Sequence, residues 1–74
     1  MKKTYRITVD CAKCASDMEW KINKLSDVKD ASVSFILQKM IVEYKDGVDI
    51  SAVFEKIVKI CKRIDFKVNI EEIC

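Results

Sequence analysis

Two thiols and a carboxylate fall within five consecutive residues, Asp10-Cys11-Ala12-Lys13-Cys14. A thiolate is a soft, strong donor, and the Cys-x-x-Cys spacing lets two sulfurs converge on one ion. The same spacing also serves thiol–disulfide exchange, so metal ligation and redox chemistry both stand open at this point. A redox site of the thioredoxin type works with proline beside it, and this chain of 74 residues has no proline. Cys14 opens a helical pattern, where the positive helix end is expected to lower its pKa, with Lys13 adding local positive charge. Asp10 separates the candidate metals. Zn2+ or Cd2+ seeks about four ligands and accepts a carboxylate oxygen, whereas Cu+ is satisfied by two thiolates. Asp10 has plainer alternatives as a helix cap or a solvated loop charge.

Around this motif the chain has room for one small domain, 1–74, with half of its residues hydrophobic. No apolar run is long enough to span a bilayer, so membrane insertion is not expected. The start, Met1-Lys2-Lys3-Thr4, lacks the apolar stretch of a signal peptide, and a cytoplasmic location is the expectation. The formal net charge is only +2, with both signs interspersed, which argues against nucleic acid as a partner. In a reducing compartment the four cysteines would remain thiols, available to metal or buried as small hydrophobes.

The elements that must carry the motif can be read from periodicity. Tyr5, Ile7 and Val9 alternate with Thr4, Arg6 and Thr8, a half-buried strand. Cys14, Met18, Ile22 and Leu25 then recur at helical spacing, and Ser26-Asp27 ends that helix. Ala31, Val33 and Phe35 predict a second strand; Met40, Val42 and Tyr44 predict a third, joined through Ile36 to Lys39 as a hairpin. Asp46-Gly47 marks a turn, and Asp49 or Ser51 can cap a second helix with the stripe Ile50, Val53, Phe54, Ile57, Cys61 and Ile64. Phe66, Val68 and Ile70 predict a fourth strand. Strand, helix, strand, strand, helix, strand makes an α+β fold, a ferredoxin-like βαββαβ sandwich with a four-stranded antiparallel sheet and two helices on one face.

That topology gathers the Cys-x-x-Cys loop, the hairpin turn and residues Lys62 to Asp65 at one end of the sheet. Cys74 belongs at the other end, and Cys61 sits central in the apolar stripe, as core rather than as a third thiol. Trp20 is expected on the exposed side of the first helix. Ile36 and Leu37 either shield the metal loop, dock a partner or continue the strand and pack. Lys62 and Arg63 are expected as a solvated helix end, with offsetting the charge of two thiolates as the alternative.

A first strand leading into Cys11 and Cys14, the helix pair Met18-Glu19, and Asp65-Phe66 at the usual Gly-aromatic position together resemble the heavy-metal-associated domain. Thr8-Val9 stand where that family commonly has Gly-Met, and Asp65 where it commonly has Gly. The resemblance implies a metal module that is not itself an enzyme, with Cys11 and Cys14 as ligands. Asp before the motif is similar to zinc, cadmium and lead exporters, making Asp10 a further ligand. The implied cargo is Zn2+ or Cd2+, with Pb2+ also suited and Cu+ the alternative, as in a copper chaperone or copper-ATPase domain. The implied partner is a transmembrane metal-transporting P-type ATPase or a metal donor protein, met by a monomer. A thiol–disulfide oxidoreductase and a small-molecule regulatory domain are readings from other classes.

Overall fold

The computed structural model describes residues 1–73. Its elements are β1 (Lys2–Thr8), α1 (Ala12–Asn23), β2 (Val28–Ser34), β3 (Lys39–Tyr44), α2 (Ile50–Ile64) and β4 (Asn69–Glu72). The strands form one antiparallel sheet in the order β2-β3-β1-β4. Both helices lie on one face, because alternate residues of the strands and one stripe of each helix share a single buried cluster. Tyr5 and Ile7 from β1, Met40, Val42 and Tyr44 from β3, Met18 and Ile22 from α1, Ile57 and Cys61 from α2, and Val68 just before β4 are its fully enclosed members. The sandwich is the ferredoxin-like fold expected from the order of the elements. No helix among the described residues is long and apolar enough to cross a membrane.

Two polar devices complete this frame. The Tyr5 and Tyr44 hydroxyls share a hydrogen bond of 2.7 Å within the core, leaving neither oxygen stranded. At the free edge of β2, α1 supplies what a neighbouring strand would. Asn23 donates to the Ala31 carbonyl and accepts the Ala31 amide, both at 2.9 Å, and Glu19 accepts the Val33 amide at 2.8 Å.

Element boundaries depart from the periodic reading in several places, among them Phe35, expected in the second strand but lying in the turn after Ser34 and exposed. The first helix begins at Ala12 rather than Cys14 and its last residue is Asn23. Strand β2 begins at Val28, where a bulge between Val28 and Asp30 turns Val28 inward and interrupts the alternation. The fourth strand does not start at Phe66. The Asp65 carboxylate accepts the Lys67 amide and the Asp65 carbonyl accepts the Val68 amide, so residues 65–68 turn and pairing starts at Asn69. Val68 is buried as expected, while Phe66 is 78% exposed. Asp49 caps α2, accepting the Ser51 amide at 3.1 Å.

Candidate metal centre

Strand β1 delivers the chain to the rim of the sheet, and α1 starts at once. Cys11 is the N-cap of α1: its backbone is extended (φ −130, ψ 120) and its Sγ accepts the Cys14 amide at 3.2 Å. Its carbonyl accepts the Ala15 amide at 3.1 Å, the first bond of the helix. A sulfur therefore stands where Ser, Thr or Asp usually caps a helix, facing its free amides. Cys14 follows within the first turn, half-buried and packed against the core. Both are free thiols.

The two thiols divide one acidic role between them. Cys11 is held below its ordinary pKa, first by the Cys14 S–H donating to its sulfur, then by the Cys14 amide. Cys14 is pushed up to about 11, chiefly because it donates that bond, then by partial burial and the nearby negative charge of Cys11, Asp65 and Asp17. This corrects the expectation for Cys14. The positive helix end acts on Cys11, the capping sulfur, because that is where the free amides point. Cys11 is thus the more acidic of the two sulfurs, and Cys14 the one that holds its proton more firmly.

Asp10 is exposed and does not cap the helix, since Cys11 occupies that position. Among the described residues no three side chains of the His, Cys, Asp or Glu type form a ready cluster, so the preformed donors are the two sulfurs. Cys61 lies fully buried in the core, its thiol pushed up to about 12 by burial. It is core filler, as its place in the apolar stripe indicated. Cys74, expected at the far end, lies outside the described residues.

The rest of this end carries exposed apolar side chains and charges of both signs. Ile36 and Leu37 at the hairpin tip are 88% and 67% exposed, so the strand does not continue through them. Lys62 is turned aside to the Val68 carbonyl at 3.0 Å and is no charge partner for the sulfurs. Asp65 bears on both thiols instead. Trp20 is exposed as expected, with the Lys24 ammonium 3.8 Å from its ring centre. One contributor at this end escaped the sequence altogether. Gln38, the last residue of the hairpin turn, holds a left-handed backbone (φ 53) and bonds to Val9 through its side chain.

Solved structures share this fold. The N-terminal domain of a potential copper-translocating P-type ATPase from Bacillus subtilis, in its Cu(I)-loaded state, is 27% identical; the match covers 96% of this chain and 84% of that one, at TM-score 0.71. A copper-binding domain from HMA7, a P-type ATPase, shares 20% identity over 99% of this chain and 93% of that one, at TM-score 0.74. The N-terminal domain of ZntA in its apo form shares 22% over 99% and 92%, at TM-score 0.67. No curated protein matches the chain in sequence. The family model of the heavy-metal-associated domain matches residues 4–67, which hold both cysteines and nearly every element. With that span matched and the dithiol at its rim, the chain belongs to the heavy-metal-associated domain family, a metal-binding module rather than a catalyst.

Proposed function

We propose that this domain carries a divalent borderline or soft ion, Zn2+, Cd2+ or Pb2+, on Cys11, Cys14 and Asp10, and passes it to a metal-transporting P-type ATPase or serves as that pump's own regulatory domain. The observation that supports it most is the Cys11–Cys14 pair, half-buried at the rim, both thiols free and Cys11 made more acidic by the bonds it accepts. Asp10 supports the divalent choice. It directly precedes the capping sulfur and is free of capping duty, so that a solvated loop charge is the one plainer explanation left. A carboxylate oxygen raises the donor count toward the four that zinc and cadmium prefer. An open coordination position then permits transfer: a partner's thiolate or carboxylate joins before a resident ligand leaves, so the ion is never free. The domain acts on the cytosolic side, as a monomer, with no nucleic acid involved.

Cu(I) is the second reading, favoured by the two-sulfur donor set that stands ready without a third group and by the likeness to a Cu(I)-loaded domain. Anaerobic competition among Zn2+, Cd2+, Pb2+ and Cu+ separates the two. Asp10→Ala is expected to weaken divalent binding roughly ten- to a hundredfold while leaving Cu+ affinity in place. Equal divalent affinity in Asp10→Ala and the parent would remove Asp10 from the ligand set and favour copper.

A further inference from the structure

The residue before Asp10 is tied down in an unusual way. Past the end of β1, Val9 has no strand opposite it, because the facing chain has already turned. The Gln38 carboxamide fills that gap from both sides: its Oε1 accepts the Val9 amide at 2.9 Å and its Nε2 donates to the Val9 carbonyl at 2.8 Å. The second Nε2 proton goes to the Phe35 carbonyl at 2.7 Å, closing the hairpin turn on itself. The Gln38 carbonyl accepts the Ile7 amide at 3.0 Å, so main chain and side chain of one residue hold Ile7 within the first strand and Val9 just beyond it, both inward-facing. This costs strain, since Gln38 sits at φ 53, a region that Asn and Gly occupy more readily than Gln. A side chain that fills every donor it has, from a backbone it does not favour, marks a position where local geometry is being enforced.

We propose that Gln38 is the positioning residue of the metal loop: by clamping Val9 to the hairpin turn it sets where Asp10 and Cys11 leave the sheet, and so how the two sulfurs meet. Val9 is buried and immobilised by these bonds, leaving one residue, Asp10, between the clamp and the capping thiol. The role rests on the metal-carrying reading of the same loop.

Gln38→Asn is the discriminating variant. Asn tolerates the left-handed backbone better and keeps the amide chemistry, but is about 1.5 Å too short to reach Val9. The expected result has three parts. The thermal midpoint stays within a few degrees of the parent, the Val9 and Cys14 amides exchange with solvent roughly tenfold faster, and affinity for Cd2+ falls roughly three- to tenfold, read from the thiolate-to-cadmium absorption under chelator competition. Loss of Val9 protection with Cys14 protection and Cd2+ affinity both at parental values would overturn the proposal, leaving Gln38 a hairpin residue only. Absence of a thiolate-to-cadmium band in the parent itself would instead sink the metal reading, while Cys14 exchange would still decide the role of Gln38.

Discussion

At the scale of single residues, the asymmetry of the two sulfurs has a measurable consequence. Cys11 is depressed by the bonds it accepts, whereas Cys14 is raised to about 11 by donating one and by the carboxylates near it. An ion ligated by both must displace the Cys14 proton throughout the neutral range, since that range lies far below the pKa of Cys14. Protons compete with metal, so apparent affinity rises with pH. The expected slope is between about one and two decades per pH unit, settling to about one once Cys11 is ionised and only Cys14 has a proton to lose. Chelator-competition titrations with Cd2+ at a series of pH values measure it. A flat profile across the neutral range would mean that Cys14 is not a ligand. That Cys11 rather than Cys14 is the more acidic thiol was not legible in the sequence. The spacing places both near a helix start, but only the cap geometry decides which sulfur faces the free amides.

At the scale of elements, what hydrophobic alternation controls was readable and what side-chain hydrogen bonds control was not. Tyr5, Ile7 and Val9, and Met40, Val42 and Tyr44, point inward as their period of two requires. Phe66 broke the same rule because Asp65 uses its carboxylate and carbonyl to form a turn, a local competition that periodicity does not register. The Gln38 clamp and the sealing of the β2 edge share that character: they join residues far apart in sequence through polar groups that carry no pattern. Edge sealing is open to test. Asn23 takes both backbone groups of Ala31, which would otherwise be left to water or to another chain. Asn23→Ala is expected to cost about 1–2 kcal/mol in urea unfolding, and Asn23→Asp, which keeps the acceptor and loses the donor, to fall between. An unchanged urea midpoint in Asn23→Ala would assign the seating of α1 on β2 to apolar packing alone.

At the scale of the whole molecule, the distance between what holds the fold and what holds the ion decides how the domain can work. The core closes around Tyr5, Ile7, Met18, Met40, Ile57 and Cys61, and includes neither Cys11 nor, except at its margin, Cys14. Removing a loop sulfur therefore takes little from the apo fold. Bound metal, in contrast, stabilises only the folded state, by about 2.7 kcal/mol when free ion stands at a hundred times Kd. For a domain of this size that corresponds to a rise in thermal midpoint of roughly 10–20 °C. Cys11→Ser is expected to melt within a few degrees of the parent without metal, since Ser is itself a favoured helix cap. It is expected to show almost none of the cadmium-induced rise. The two halves of that result separate a carrier from a structural centre. A domain that must release its cargo has to stand folded when empty, whereas a structural zinc domain unfolds once its ligands are lost. A Cys11→Ser variant that is unfolded in the absence of metal would place the dithiol among the structural sites and remove the basis for transfer.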